Sequence, residues 1–561
     1  MITTAPLQPA AQQQENRWIY FFIGLAVFVN FSGLFVPLMN PDAGIYASLS
    51  KNMLMRNNWL ELYFQNNDWL DKPHFPFWIT ALFFKVFGIH TWSYKLPGIL
   101  FALLGAYYTY LFAKQLYTRT VALWSVLILL TAEHIIISNT DVRAEPFLTG
   151  LIIASVYHFH RSFNKKPGWH LLAGSLFAAC AVMTKGVFTL IPIGGAIAGG
   201  LIITRNWKEL FHWRWLAALL FIGVFIIPEL YSLWYQFDRH PEKTVFGKTN
   251  VSGIRFFLWD SQFGRFFNTG PITGKGDPFF FVHTLLWAFL PWSLVMYAAL
   301  IDKIRAALKK INLQQQEWFT FCGSILTLFV FSVSKFQLPH YANIIFPFLA
   351  ILTASYISKI QNSSSGFFTK TQYAIIAILF AGGILLHFFY SPAITSSILL
   401  IIVAAIILLL FMFQKWLPVS ASRVAFYRTV LAAIALNLYI IWFFYPHLLK
   451  YQSGSEAAFY MNKNHPDVKE IHSGVYAPVF EFYINDPLFK ADTVAASKPE
   501  VFQAGTWYVN YNEFEWIKQR GLRYEIIKEM DEFPVTMLTL KFINKKTRSK
   551  ELKKFYLIRL L

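Results

Sequence analysis

Residues 18–42 read WIYFFIGLAVFVNFSGLFVPLMNPD, an apolar run from Trp18 to Met39 closed by Asn40-Pro41-Asp42. A run of that length can cross a bilayer. The residues before it, up to Arg17, are polar and Gln-rich and lack the small-residue cleavage pattern of a secretory signal. The run is therefore expected to stay as an anchor. Working outward, similar runs lie near 95–116, 120–138, 145–161, 169–184, 187–204, 214–236, 279–301, 318–334, 341–358, 371–390, 393–414 and 424–446. Together they predict thirteen spans. Phe75–Phe87 is apolar too, but its length suits a re-entrant or interfacial helix.

Composition agrees. Of 561 residues, 56% are hydrophobic, 19% aromatic and 14% charged, with 58 Phe and 19 Trp. An ordinary soluble protein carries about 25% charged residues. These figures exclude a disordered chain, a disulfide scaffold and a simple soluble enzyme. The net charge of +19 sits between the apolar runs and not in one patch, so a membrane explains it better than nucleic acid. Cys180 and Cys322 lie inside apolar runs and read as core residues.

With the N-terminus inside, the inner loops hold Lys114, Arg119, Arg161, Lys165, Lys166, Arg205, Lys208, Arg214, Lys303, Arg305, Lys309, Lys310, Lys359, Lys370, Lys415, Arg423 and Arg428. The short outer loops hold only Arg143, Lys185 and Lys335. The positive-inside rule then predicts residues 1–17 in the cytoplasm, a membrane domain over 18–448, and residues 449–561 outside. Two outer loops are long, Asn40 to Tyr94 and Phe237 to Pro278. The tail alternates strand-like and helical stretches, such as Glu470–Tyr483, Thr506–Tyr511 and Glu525–Phe542, and reads as a small α/β domain.

Charges near a bilayer are costly and tend to mark function. Five groups fall on the predicted outer face. Asn40 suits a helix cap, Pro41 the first helical position and Asp42 the first turn. Ile45, Leu49 and Met53 recur every four residues, which predicts an amphipathic helix at the interface. The helix dipole would keep Asp42 ionised, as a general base requires, or Asp42 simply complements that dipole. Asp71-Lys72-Pro73-His74 offers a lysine able to bind phosphate as a point charge, or a snorkelling lysine. Asp141-Val142-Arg143-Ala144-Glu145 packs two carboxylates and an arginine into one short loop, where a local salt bridge is the plainer reading. Arg265, in Trp259–Phe266, presents a forked guanidinium suited to phosphate. Ser334-Lys335, with His340 and Tyr341, adds a charge and two hydrogen-bond donors. Each signal is weak alone, and independent structural charges would not need to share a side.

The order of these motifs resembles a known family. Asp42 follows the first span, then come Asp71-Lys72-Pro73, Thr184-Lys185-Gly186, the Arg265-Phe266 loop, Pro291-Trp292, and Ser334-Lys335 with Tyr341. This is similar to the GT-C glycosyltransferases of the aminoarabinose (lipid A) transferase and protein O-mannosyltransferase type, over about 18–350. The resemblance implies a polytopic α-helical membrane protein of GT-C type, with about thirteen spans and a small C-terminal α/β periplasmic domain. It also implies transfer of a sugar from a polyprenyl-phosphate donor to a lipid or glycan acceptor at the periplasmic face of the inner membrane. By the same resemblance Lys72 and Arg265 bind the donor phosphate with help from Tyr341, and Lys335 is a further candidate. Asp42 is the base, and the second carboxylate is Glu145 or Asp141, where the family usually has Asp. Asp71 stands where many relatives have Glu, which in some touches a metal. One carboxylate with one histidine is too few ligands to claim a metal site, so no cofactor is assigned and a divalent metal is left open. Lys185 and His340 are further lining candidates. A transporter or flippase is the rival class, but it would place polar groups near the midplane in matching halves.

Overall fold

The computed structural model describes residues 9–163, 168–360, 365–392, 420–490 and 502–561, with isolated positions between 398 and 412. The span expected at 393–414 lies largely outside them, as do Lys165, Lys166 and Lys415. The chain is mainly helical. Among the described residues four helices are long and apolar enough to cross a membrane: Thr91–Leu116, Pro339–Ile360, Gly366–Tyr390 and Ala421–Tyr451. Two bent pairs bring the number to six if each is one span.

Several expected runs are helical within a few residues of their predicted limits, including Glu145–Arg161, Gly168–Lys185 and Phe319–Val333. Phe75–Phe87 is a helix over the expected residues. Others differ for visible reasons. The first helix runs from Pro9 to Phe31 and stops short of Met39. Beyond it, the buried Lys95 ammonium takes the carbonyls of Gly33 (2.9 Å) and Val36 (2.6 Å), which a continued helix would use itself. Gly33 also presses on Thr140, where a Cβ would meet Oγ1 at 2.6 Å. The 120–138 run is two helices, Arg119–Thr131 and Glu133–Thr140, bent by 54° at Ala132. The 279–301 run divides into Phe280–Ala288 and Ser293–Leu308 around Pro291-Trp292, because proline cannot donate within a helix. Cys180 and Cys322 are unpaired and half-buried.

The helix Asp42–Met55 forms where its periodicity predicts, but it is not a surface helix. Every residue from Ala43 to Lys51 is buried. The reason lies in the C-terminal region, whose short helix Pro478–Tyr483 lies across it. Ser48 Oγ donates to Pro478 O (3.0 Å), and Lys51 Nζ donates to the carbonyls of Glu481 (2.9 Å), Phe482 (3.2 Å) and Ile484. Gly44 allows the approach, since a Cβ there would meet Val479 N at 2.8 Å. Asn40 is drawn into the same contact and does not cap the helix. Its Oδ1 accepts from Val479 N (3.3 Å), and Pro41 takes the capping position without a side-chain bond.

The C-terminal residues form a five-stranded mixed sheet in the order Leu488–Lys490, Ile471–Ser473, Gly505–Asn510, Lys553–Leu560, Tyr524–Glu532. The first three strands are parallel and the last two pairings antiparallel. Alternation along Trp507-Tyr508-Val509 sends Tyr508 to one face with Leu557, Phe480 and Met461. Trp507 and Val509 face the other side with Phe514 and Ile558.

Candidate active site

The site collects at one end of the helices, where the two long loops meet the starts of Asp42–Met55 and Glu145–Arg161. Asp42 and Glu145 are each the first residue of their helix, where a carboxylate suits the dipole. Arg143 bridges two loops. Its Nη1 donates to Asp42 Oδ2 at 2.7 Å, while Nε and Nη2 reach Asp141 Oδ2 at 3.0 and 2.8 Å. The salt bridge expected within the Asp141–Glu145 loop is thus only half local. Burial pushes the Asp141 carboxyl above its usual range, against the pull of Arg143. Asp42 is the more open of the two, with its side chain 37% exposed against 8% for Asp141.

Asp71 is held differently. Lys72 Nζ and Arg265 Nη2 each take one of its oxygens. Burial pushes this carboxyl up, but the two cations outweigh it and leave it below the ordinary value. Arg265 answers in kind: burial pulls its guanidinium down, and Asp71 more than restores it. Glu145 forms the third group. It is buried, receives Lys185 Nζ, and has His340 Nε2 at 3.7 Å. The Lys185 ammonium also stands 4.0 Å from the centre of the Tyr341 ring.

These groups line connected space. A cavity of about 650 Å³ is walled by Lys185, Gln262, Arg265, Tyr341, Phe188 and Phe336, among others. A smaller recess of about 330 Å³ shares Lys185, Gln262 and Arg265 with it and adds Asp71 and Lys72. Among the described residues the larger cavity is lined by two cations, Lys185 and Arg265, and by no carboxylate, while the recess sets Lys72 beside Asp71 and Glu229. Asp42 and Asp141 stand outside these walls. Tyr46, one turn after Asp42, has its hydroxyl raised well above its usual range by burial and then by the charges of Asp42, Glu145 and Asp71.

Local reasons explain the placement. Lys185 ends its helix, and Gly186 follows at φ 99°. Gln262 Nε2 donates to Lys185 O at 3.1 Å, so a Cβ on Gly186 would meet that amide at 2.2 Å. Glycine is therefore needed at Gly186 for two separate reasons. His74 turns away from Asp71 and packs in the interior. Glu229 accepts from its backbone N–H (2.9 Å), and its Nδ1 lies 3.0 Å from the other carboxylate oxygen. Among the described residues no three His, Cys, Asp or Glu side chains group as metal ligands. With Asp71 taken by two cations and His74 by Glu229, the pair does not fit a metal.

Of the residues expected from sequence, Asp42 and Asp141 meet through Arg143, Asp71 meets Lys72 and Arg265, and Glu145 meets Lys185 and His340. Lys335 does not join them. It is exposed, and its backbone N–H donates to Phe266 O at 3.1 Å. Tyr46, Gln262 and Glu229 were not singled out. Tyr46 lies four residues after Asp42 on the same helix face, and Glu229 is a lone carboxylate inside an apolar run, so both left a signal.

The chain is similar to known proteins in part of its sequence and in its fold. Residues 71–232 match the family model described as dolichyl-phosphate-mannose-protein mannosyltransferase. An uncharacterized protein of Aquifex aeolicus is 27% identical over 339 residues, 58% of this chain and 61% of that one. The undecaprenyl phosphate-alpha-4-amino-4-deoxy-L-arabinose arabinosyl transferase of Enterobacter sp. is 26% identical over 334 residues, 58% of this chain and 56% of its own. The chain thus spans little more than half the length of these curated relatives. The crystal structure of ArnT from Cupriavidus metallidurans bound to undecaprenyl phosphate superposes with a TM-score of 0.71 at 18% identity, covering 96% of this chain and 98% of that one. That likeness is one of fold. In motif order, in the 71–232 segment and in fold, the chain is similar to the GT-C proteins of the aminoarabinose transferase and protein O-mannosyltransferase type.

Proposed function

We propose that this chain is a membrane glycosyltransferase that moves a sugar from a polyprenyl-phosphate donor to a lipid A-type or other envelope acceptor. The observation that carries this is the cavity lined by Lys185 and Arg265, with no carboxylate among its described lining residues, Lys72 beside it and aromatic walls adjoining. A leaving lipid phosphate needs such cations, fixed in advance where its charge develops. The ArnT crystal structure that shares the fold holds undecaprenyl phosphate, which supports the same donor class.

In this reading the acceptor oxygen attacks the anomeric carbon and the bond from that carbon to the phosphate oxygen breaks. The electron pair leaves with the phosphate, onto Lys72, Arg265 and Lys185, with Tyr341 lining the same wall. Asp42 takes the acceptor proton, because it is the most open carboxylate and has one cation partner. Glu145 and Asp141 set the cations in place. Lys335 serves at most at the rim. One displacement inverts the sugar and needs no enzyme nucleophile. The membrane domain covers 18–448 with thirteen spans in the inner membrane, the N-terminus inside. Residues 449–561 form a periplasmic domain that covers the helix bearing Asp42.

A second reading, transfer to protein hydroxyls, is favoured by the family model over 71–232. Mass spectrometry of envelope lipids, glycans and proteins decides between them. Cells with the wild type, with Asp42→Asn and with no protein are compared. A sugar-sized mass on lipid or glycan only with the wild type supports the first reading, and one on protein supports the second. Identical profiles from all three would sink both and favour transport.

A further inference from the structure

A second opening lies on the other side of Asp71. About 1080 Å³ in volume, it is bordered by Phe64, Gln65, Trp69, Asp71, Phe246 and Tyr476. Three distant segments each bring an aromatic ring. Phe64 and Trp69 come from the first long loop, Phe246 from the second and Tyr476 from the C-terminal region. Phe64 stands 5.6 Å from Trp69 and 5.1 Å from Tyr476 between ring centres.

The floor is a small hairpin, Tyr63–Phe64 paired with Asn67–Asp68. Its turn residues Gln65 and Asn66 both have positive φ, 46° and 61°, as the tightest hairpin turn requires. Gln65 is completely buried and pinned from behind. Its N–H donates to Glu481 Oε1 (2.9 Å) and its Nε2 to Val475 O (3.2 Å). Yet Gln65 Oε1 and Trp69 Nε1 are buried with no partner. Such groups are costly unless something completes them. They are one acceptor and one donor, both on residues that border the opening. Phe246 adds strain: a bulky residue at φ 53°, 43% exposed, which is uncommon away from functional sites.

The chemistry is selective. No Lys or Arg borders the opening. Asp68 is already bonded to Lys243 and Gln236, both at 2.9 Å, and Asp71 to its two cations. Phosphate therefore has no counter-charge here, whereas aromatic faces with a few directed polar atoms suit a neutral, hydroxyl-rich ring. We propose that this cleft binds a sugar ring of the acceptor and holds it beside Asp71, opposite the donor phosphate. This rests on the glycosyltransferase reading above and names its acceptor as a saccharide.

The test uses the full chain in detergent. Saturation-transfer NMR with an N-acetylglucosamine disaccharide and with methyl mannoside measures saccharide binding, and undecaprenyl phosphate binding is measured in parallel. The wild type should bind at least one saccharide. Gln65→Asn, which withdraws the amide but tolerates positive φ, and Phe246→Asn, which removes the ring on the same terms, should each weaken it by about tenfold. Trp69→Phe, which deletes only the N–H, should cost about fivefold. Undecaprenyl phosphate binding should survive all three and fall in Arg265→Ala, which should still bind the saccharide. If neither saccharide binds the wild type, or the Gln65 and Phe246 variants bind as well as it does, the acceptor cleft is wrong whatever happens with phosphate. If the saccharide pattern holds but undecaprenyl phosphate does not bind, the donor reading falls and the cleft stands.

Discussion

Asp42 and Asp71 lie in the same long loop, and each meets an arginine, yet they are built for opposite uses. Asp71 is fixed between Lys72 and Arg265, one oxygen to each, with 16% of its side chain exposed. Asp42 shares one arginine with Asp141 and leaves more than a third of its side chain open. A carboxylate held by two cations has no free oxygen for a proton and acts as a brace that sets the cations at a fixed spacing. A carboxylate with one partner and an open side is able to receive a proton. The difference comes from position. Asp42 begins a helix roofed by the C-terminal region, whereas Asp71 sits where the two long loops cross.

The comparison breaks most sharply at Asp42. Asp42→Asn is expected to lower transfer by about 10²–10⁴-fold, the range for a lost general base, while undecaprenyl phosphate still binds. Unchanged turnover in a purified assay would remove Asp42 from that role. Next comes Arg265→Ala, expected to lower transfer by about 10²–10³-fold and to weaken phosphate binding as well. Arg265→Lys should recover part of both, because Asp71 would still have two cations. If Arg265→Ala altered turnover alone, the phosphate would lie elsewhere.

A third test concerns stability. Arg143→Gln takes from the buried Asp141 its directly bonded cation, so about 3 kcal/mol of stability should be lost, and Asp141→Asn in the same chain should restore much of it. A thermal melt in detergent reads both, and a double variant no better than the single would contradict the shared-arginine account. The smallest effect is the pH response of the roof over Asp42. Burial pushes the Glu481 carboxyl up to about 7, against bonds from Asn52 (2.7 Å) and Gln65 N–H (2.9 Å) and the nearby Lys51 charge. A raised acid holds its proton more tightly when folded. Its contribution is therefore full below its ordinary value of 4.5 and is lost as pH rises through about 7. The melting temperature should fall by a few degrees between pH 5 and pH 8, and Glu481→Gln should flatten that slope. An unchanged slope would show that Glu481 does not titrate there.

The apolar runs made most helices legible, since a span of that length in lipid has few alternatives to a helix. What they hid were breaks made by distant residues. Lys95 taking the carbonyls after Phe31 and Pro291 dividing a long run depend on neighbours or on a single residue inside an apolar stretch. The site was legible as residue types gathered on one face. Its pairings were not, because Arg143 reaching Asp42 and Lys185 reaching Glu145 join residues 101 and 40 positions apart. Lys335 shows the converse: the right residue type in the right loop, turned outward. The amphipathic reading of Asp42–Met55 found the helix but not its roof, which comes from more than 400 residues downstream.

The most direct test of the account measures undecaprenyl phosphate binding and sugar transfer together, on purified wild type, Asp42→Asn and Arg265→Ala. The account predicts that Asp42→Asn binds like the wild type but does not turn over, while Arg265→Ala loses both. If Asp42→Asn lost binding, or Arg265→Ala kept it, the division between an open base and a cation-braced phosphate site would be contradicted.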